Sequence, residues 1–403
     1  MIQGTAIYNL SNNDEFVNIL NNTCENNKYL KVLNNKNCDY KIVRYNKELL
    51  SFDLIENYGL FRSVVLNNDN KVVSFAPPKA IDADTFMKRH SISEPGLSIE
   101  EFVEGTMINV FCNNGVWEIA TRSTIGGNAS FYKSSNSKTF KEMFFEACLS
   151  ANFGFQFLNP NYCYSFVLQH PSNRIVKQFT SPTLYLVEVY YIEQTGTNAR
   201  VHVLSMDSIV ASGCFNTTGI KFPQKITANS YSELIEKYAS CNTSYDVMGV
   251  VLKNTLTGVR SKIRNPIYEE VRQLRGNQPK LQYQYLCLRS QGKVADYLKV
   301  YREHKEQFST FRDQLHMYTD TLYKNYVSCY IRKEKPLNEF GQQYRTHMYN
   351  IHQHYMNELK PKQLHITNTE VINYVNKLHP SLLMYCLNFH FRKQSVDTLK
   401  ADF

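Results

Sequence analysis

The sequence predicts an α+β protein in which a region of antiparallel sheet precedes an all-helical region. Over about the first 280 of 403 residues, short apolar runs alternate with turn residues, as they do in hairpins. After residues 274–278 the apolar residues recur at helical spacing, and prolines separate the helical stretches. Apolar residues make up 43% of the chain, enough for a sizeable core. We therefore predict two domains, 1–280 and 281–403.

The strands of the first domain are predicted chiefly as hairpins. Their paired ranges are 58–66 with 72–75, 102–111 with 116–122, and 246–252 with 259–263. Turns at 67–70 and 113–115 close the first two, because Asn and Gly tolerate positive φ. Further strands are predicted at 165–168, 184–192 and 201–204, and helices at 82–90, 140–151 and 230–239. This order predicts an antiparallel sheet with inserted helices.

The second domain is predicted to be helical and basic. Its predicted helices are 281–289, 294–308, 311–332, 338–359 and 368–378. Residues 280–403 hold 18 Lys and Arg against 11 Asp and Glu, which is +7 of the chain's net +9. This excess favours an anionic partner. His347 and His354 share a helical face, but no Cys or carboxylate completes a set, so we predict no metal site.

Several function classes are excluded or disfavoured by simple patterns. No apolar run approaches the roughly 18 residues that span a bilayer, and residues 1–10 do not read as a secretory signal. The ten cysteines are scattered without a CxxC pair, which favours free thiols in a reducing cytoplasm. The GKS/GKT, GxGxxG, HExxH and GxSxG motifs are absent. Clustered Asn is typical of an AT-rich genome.

Four segments, taken in their order along the chain, carry a resemblance to a known family. They are 101-EFVEGTMINVFCNNGVWEIATRS-123, 165-SFVLQHPSNRIV-176, 245-YDVMGVVLKN-254 and 259-VRSKIRN-265. They resemble the nucleotidyltransferase domain of covalent nucleotidyltransferases, in particular RNA ligases of the phage T4 RNA ligase 1 type. The motifs of those enzymes are KxDGS, FE(F/Y)VxPxNRIV, EGxV and KxK, and NRIV is the most specific match. The resemblance covers about residues 40–280. It extends to RNA ligase-like proteins of large DNA viruses.

The resemblance places apolar residues at three positions that carry the family's chemistry. Its lysine nucleophile falls on Phe102, and its two pocket glutamates fall on Val167 and Met248. In the family the lysine attacks the α-phosphate of ATP, and the glutamates hold the ribose and a divalent metal. We therefore expect a pseudoenzyme that has lost covalent adenylylation. A displaced lysine such as Lys79 could serve instead, although Lys79 aligns better with a lysine that precedes the active site.

Other positions of the family motifs keep residues suited to a nucleotide. The resemblance implies a nucleotide and phosphate site formed by Glu104, Gly105, Thr106, Arg122, Lys262 and Arg264. Lys262, Arg264 and Arg260 share one face of a predicted strand, which favours an anion site. We expect RNA contacts at Arg174, Arg260, Arg272, Arg275 and Lys280. Plainer interpretations stay open: Glu104 as a turn residue, Arg122 on a solvated edge, and Arg174 in a structural role.

Three functional hypotheses follow. The first is a catalytically degenerate RNA ligase-like protein that grips an RNA end, cap or tRNA, needs no cofactor, and leaves room for ATP or GTP bound non-covalently. The second is an active ATP-dependent RNA ligase with a displaced lysine. The third is a structural or interaction protein of a virus. The first is our expectation, with RNA as partner, no membrane, and viral or host translation or RNA-processing proteins as further partners. The expected location is the host cytoplasm, in a viral factory, or the virion.

Overall fold

The chain divides into two units between Arg272 and Gln273 in the computed structural model, which describes residues 4–23, 27–34, 39–131 and 137–391. The first unit consists of antiparallel sheets with helices packed against them, and the second unit is helical. This arrangement confirms the predicted α+β class. The sequence had predicted the change of domain near residue 280.

The first unit has three sheets in which every neighbouring pair of named strands is antiparallel. The strands are β1 (Gly4–Asn9), β2 (Leu30–Asn34), β3 (Tyr40–Tyr45), β4 (Val64–Asn67), β5 (Val72–Phe75), β6 (Leu97–Glu101), β7 (Thr106–Asn113), β8 (Val116–Ala120), β9 (Tyr162–Gln169), β10 (Thr183–Thr195), β11 (Asn198–Leu204), β12 (Gly249–Asn254) and β13 (Arg260–Arg264). The large sheet has the order β1-β11-β10-β9-β7-β8. The other two sheets have the orders β2-β3-β4-β5 and β13-β12-β6.

Short helices connect and cover these sheets. They are α1 (Asp14–Leu20), α2 (Ile55–Tyr58), α3 (Ala83–Arg89), α4 (Phe140–Ser150), α5 (Met206–Ala211), α6 (Tyr231–Tyr238) and α7 (Pro266–Arg275). Most begin at a polar residue whose side chain accepts a hydrogen bond from the backbone amide three residues later. In α4 this is a full capping box between Thr139 and Glu142. Local sequence therefore fixes where these helices begin.

The cores of the first unit follow from strand alternation. Along β7, Ile108 and Val110 point to one face of the large sheet and pack with Phe144 of α4, while Phe111 points to the other face. The three-stranded sheet buries its own apolar face against Phe86 of α3 and Leu234 of α6. Each sheet is therefore covered on at least one face. A functional site can then form at the ends of the strands and in the segments that connect them.

The second unit packs helices around aromatic side chains. The helices are α8 (Leu281–Ser290), α9 (Val294–Val300), α10 (Lys305–Tyr326), α11 (Gln342–His354), α12 (Asn368–Lys377) and α13 (Pro380–Leu387). π-Helical turns at Val327–Ile331 and Tyr355–Leu359 extend α10 and α11. The rings of Tyr297 and Phe308 stack with centroids 5.0 Å apart, and Tyr318 of α10 stacks on Tyr344 of α11 at 5.1 Å.

Some predicted boundaries were wrong for local reasons. The helix predicted at 294–308 is broken, because Tyr301 has a non-helical backbone (φ −101°, ψ 63°) between α9 and α10. The strand predicted to begin at residue 58 begins at Val64, since residues 55–58 form α2. Pro380 follows the predicted helix 368–378, as expected, but it also starts α13, which was not predicted; a proline in the first turn of a helix costs no hydrogen bond.

Two expectations about the chain as a whole can be compared with the structure. The eight cysteines within the described ranges form no disulfide, whereas Cys24 and Cys38 lie outside those ranges. Across the part of the chain that the structure describes, no helix combines the length and apolar character of a membrane span.

Candidate functional site

A cavity of about 250 Å³ in the first unit brings together the residues singled out in the sequence. Its walls come from the segment between β6 and β7, from β9, and from β12 and β13. Phe102, Glu104, Val167, Met248 and Lys262 all line it. Residues separated by up to 160 positions in sequence therefore share one cavity.

Phe102 lies against two cations in this cavity. The Nζ atom of Lys262 is 4.3 Å from the centroid of the Phe102 ring, and the guanidinium carbon of Arg264 is 5.4 Å from it. Both cations come from β13, where side chains two residues apart share a face. A cation on an aromatic face is attracted by the ring quadrupole. The ring therefore helps to hold both cations at the cavity wall.

A glycine lets the backbone behind Phe102 approach β13. The Phe102 amide donates to the carbonyl of Gly249 at 3.2 Å. Gly249 has φ +120°, and a Cβ atom there would lie 2.0 Å from the carbonyl oxygen of Ile263. Only glycine meets both conditions. The glycine of the third segment is therefore needed for the shape of the site.

The first and second segments are tied together by hydrogen bonds. The buried carboxylate of Glu104 accepts from the backbone amides of Val176 (2.9 Å) and Lys177 (3.1 Å). The hydroxyl of Thr106 accepts from the Asn173 side chain at 2.9 Å. In this structure Glu104 and Thr106 therefore hold the NRIV segment against the cavity. Burial first, and then the charge of Glu104, raise the pKa of the neighbouring Tyr268.

The cavity wall is apolar where the resemblance would require glutamates. Val167 is buried in a cluster with Val103 and Val187. Met248 lies just before β12 and is half-buried. Neither side chain can ligate a divalent cation, which needs oxygen ligands. The residues present do not fit the metal that the resemblance implies. Among the described residues no group of three His, Cys, Asp or Glu is placed to hold a metal ion.

The positive charges at the cavity repel one another. Burial lowers the pKa of Lys262 well below its usual range, and Arg260, Arg62 and Arg264 lower it further. The same causes act on Arg62, whose pKa falls through burial and then through Arg260. Arg62 was missed in the sequence. The sequence did contain one indication of its role, since Arg62 is a single arginine just before the apolar strand β4.

Arg122 and Lys79 lie beside the cavity and are not among its lining residues. The guanidinium of Arg122 stacks over Tyr45, 5.0 Å from the ring centroid. It still contributes to lowering the pKa of Lys79, after burial and Arg62. The structure thus brings Arg122 near the other cations without placing it on the cavity wall.

A buried ion network contributes Glu100, Lys253 and Arg260 to the cavity wall. Lys253 on β12 pairs with Glu100 (2.7 Å) and with Glu188 (3.0 Å), and Arg260 on β13 pairs with Glu188 (3.2 Å). Tyr190 donates to Glu188 at 2.6 Å. Burial pushes the pKa of Glu188 up, but Lys253 and Arg260 outweigh it and hold the pKa at about 2. This network joins the large sheet to the three-stranded sheet.

The residues predicted to contact RNA have different environments. Arg260 is buried and paired with Glu188, and Arg275 is buried. The side chain of Arg174 donates through Nε to the carbonyl of Val176 at 2.9 Å. Arg272 is exposed and pairs with Glu269 (3.0 Å), and Lys280 is exposed just before α8. Burial thus makes Arg260 and Arg275 unsuited to direct contact with RNA, whereas Arg272 and Lys280 are at the surface.

Comparison with known proteins finds one curated relative and a set of solved structures. No protein-family profile matches the chain. An RNA ligase of Rhodothermus phage RM378 is 23% identical over 356 residues, covering 80% of this chain and 77% of the relative. A Naegleria gruberi RNA ligase mutant with ATP and Mn is 12% identical, with a TM-score of 0.36 over 50% of this chain and 59% of that one. An apo mutant of the same ligase has a TM-score of 0.36 over 60% and 75%. The similarity to the phage protein confirms that the chain resembles RNA ligases.

Proposed function

We propose that this RNA ligase-like chain, a relative of the phage RNA ligase, binds the phosphates of a nucleotide or RNA end without forming a covalent intermediate. The observation that carries the proposal is Phe102 with Lys262 and Arg264 on its ring. A benzyl group has no nucleophilic atom, so no phosphoramidate (N–P) bond to a nucleotide can form at this position. The two cations are suited to binding phosphate oxygens.

The apolar replacements act together. Val167 and Met248 remove two carboxylates, and Phe102 removes one amine, at a single cavity wall. Each change alone would impair adenylylation, and together they leave a site with excess positive charge. A low-dielectric wall strengthens the attraction between these cations and an anion. The remaining cations therefore support the binding of an anion, even though the groups needed for adenylylation are missing.

RNA is the proposed partner because the family acts on it and because the chain is basic. Contacts through lysine and arginine to phosphates provide affinity without reading the base sequence. Exposed Arg272 and Lys280 are the proposed additional contacts. Arg260 and Arg275 are not proposed as contacts because they are buried. Viral or host RNA-processing proteins as further partners, and the host cytoplasm or virion as the location, remain predictions.

Label transfer tests the absence of catalysis. The protein is incubated with α-labelled ATP, or separately GTP, with Mg²⁺ or Mn²⁺, and is then run on a denaturing gel beside an active RNA ligase. We expect a labelled band for the active ligase and none for this chain. A band that survives denaturation would contradict the proposal.

One observation favours active nucleotidyl transfer as a second candidate function. The Lys262 amine is half-buried beside Phe102, and burial with cationic neighbours lowers its pKa, which favours the uncharged amine relative to an ordinary lysine. Attack on the α-phosphate would form an N–P bond, release pyrophosphate and transfer the amine proton to solvent. A labelled band mapped to Lys262 would support this candidate, and a band mapped to Lys79 would support the lysine indicated by the sequence.

A further inference from the structure

We infer that the cavity binds a 5′-polyphosphate without a divalent metal, a proposal that rests on the proposed function and specifies its ligand. The ligand would be the polyphosphate of a nucleoside triphosphate or of a triphosphorylated RNA 5′ end. The inference comes from five cations, which we call the cationic track. They are Arg62, Lys79, Arg122, Lys262 and Arg264.

Backbone contacts bring the segments of the track together. The Lys79 amide donates to the carbonyl of Gly59 (2.9 Å), which places Lys79 near the segment that carries Arg62. Two residues later the Ile81 amide donates to the carbonyl of Arg260 (2.9 Å), so the same segment runs beside β13. Lys262 and Arg264 extend from that strand. The track is thus assembled from four separate parts of the sequence and is a property of the fold.

Most cations of the track are not neutralised by a salt bridge within the protein. Among the described residues Arg62, Lys79 and Lys262 form no salt bridge, whereas Arg264 pairs with Glu269 on α7. For each of the three, burial lowers the pKa first and nearby cations lower it further. Holding like charges together costs free energy. An anion placed among them relieves that cost.

The acidic groups at the cavity have other partners. Glu100 pairs with Lys253 (2.7 Å), and Glu104 accepts from two backbone amides. Glu101 accepts from the amide of Gln224 at 3.4 Å. A divalent cation would have to compete with these partners and with the repulsion of the track, without a carboxylate at positions 167 and 248. A polyphosphate free of metal carries more negative charge than its Mg²⁺ complex and suits the track better.

The number of cations in the track favours several phosphates over one. Lys262 and Arg264 lie at the Phe102 ring, while Arg122 lies over Tyr45 and is not among the residues that line the cavity. A single phosphate contacts only part of this set, whereas a triphosphate can contact cations from several segments. We therefore expect a triphosphate to bind at least tenfold more tightly than a monophosphate.

Lys262 couples binding to a proton. Four cations lie near its amine: Arg260 and Arg264 on its own strand, and Arg62 and Lys79 on neighbouring segments. The other charged or titratable residues that line the same cavity are Glu100, Glu101, Glu104, Lys253, Tyr268 and Arg272. The pKa of Lys262 is lowered in the unliganded protein, and a bound anion raises it again because opposite charges favour the protonated amine. In the pH range in which Lys262 titrates, ligand binding therefore takes up a fraction of a proton, and affinity falls as pH rises.

Isothermal titration calorimetry with the full chain tests the metal dependence. ATP, AMP and a triphosphate-ended RNA oligonucleotide are each titrated in EDTA and in excess Mg²⁺. We expect ATP and the RNA to bind in EDTA, and Mg²⁺ to weaken both severalfold. Whichever of ATP and the RNA binds more tightly shows whether the polyphosphate belongs to a nucleoside triphosphate or to an RNA 5′ end. If ATP and the RNA bind only with Mg²⁺, the inference fails and the proposed function stands; if no phosphorylated ligand binds in either condition, both fail.

Variants test the role of Lys262. Lys262→Ala is expected to lower ATP affinity about tenfold or more, since a charge-assisted contact is lost. Lys262→Arg keeps the charge but cannot lose its proton. Affinity should therefore persist, while proton uptake, measured in buffers of different ionisation enthalpy, should fall by the share that Lys262 contributes. Lys88→Ala removes an exposed cation of α3 in the same unit and should change neither. Unchanged proton uptake in Lys262→Arg would overturn the coupling, and this variant remains informative if Lys262→Ala does not fold.

Discussion

The Phe102 side chain illustrates how one residue changes the chemistry of a cavity. The ring offers Lys262 and Arg264 an aromatic face at 4.3 Å and 5.4 Å, where a lysine would add a third positive charge. With Val167 and Met248 on the same wall, the cavity combines apolar surface with cations. Such a site attracts phosphate strongly because little water screens the charges.

A glycine substitution tests how closely the backbone must approach β13. Gly249→Ala should destabilise the protein by about 3 kcal/mol or more, because its Cβ atom would meet the Ile263 carbonyl and φ is +120°. The control is Gly115→Ala, which also has positive φ (+80°) but no atom within 4 Å of the added Cβ. It should cost only about 1 kcal/mol. Urea denaturation measures both, and equal losses would contradict the steric argument.

At the scale of elements, the sheets are joined by charge as well as by apolar packing. Glu188 of β10 pairs with Lys253 of β12 and Arg260 of β13, so the large sheet and the three-stranded sheet share one buried network. Removing one partner from such a network leaves an uncompensated buried charge, which is costly. The strands that carry the cavity cations are therefore positioned in part by Glu188.

The pH dependence of stability tests this network. The pKa of Glu188 is about 2 in the folded protein, below its ordinary value of 4.5. Its contribution, about 3 kcal/mol, is therefore present above pH 4.5 and is lost as pH falls from 4.5 through 2. Glu188→Gln should destabilise the protein at pH 7 and flatten the acid dependence.

The matched control is Glu193→Gln, on the same strand but with its side chain 54% exposed. Urea denaturation at pH 7 and pH 3 should show little change for this variant. If Glu188→Gln and Glu193→Gln lose the same stability at both pH values, the network does not contribute as described.

At the scale of the whole molecule, charge is distributed unevenly along the chain. Residues 280–403 carry +7 of the net +9, while the cationic track lies in the first unit. A basic protein that binds RNA through phosphates releases counterions when it binds. The strength of binding should then depend steeply on salt, whichever unit supplies the contacts.

Salt titration of RNA binding tests how many of the phosphate contacts are made by the cavity cations. Replacing Lys262 and Arg264 together by Ala should reduce the slope of log affinity against log salt by about 1.4, since each contact to single-stranded RNA contributes about 0.7. Fluorescence anisotropy with a labelled oligonucleotide measures the slope, and Lys88→Ala serves as the control. An RNA affinity insensitive to salt, or a slope unchanged in the double variant, would count against phosphate contacts in the cavity.

The sequence alone predicted the α+β class, the helical second half and the relation to RNA ligases. Local patterns made this possible: hairpins show Asn and Gly turns, and helices show apolar residues at helical spacing. Both patterns are visible within a short stretch of sequence, without knowledge of tertiary contacts. The break at Tyr301 and the start of α13 at Pro380 were not predicted, because short-range patterns do not decide between a helix interior and a helix end.

The tertiary structure decided which partner each charge at the cavity contacts. Arg260 and Lys262 are two residues apart on β13, yet Arg260 pairs with Glu188 and Lys262 lies on the Phe102 ring. Arg62, undistinguished in the sequence, lines the same cavity. Alternation along a strand gives the face of a side chain, but its partner comes from a strand far away in sequence. For that reason the motifs showed which chemistry was lost, and only the fold showed which cations remain together.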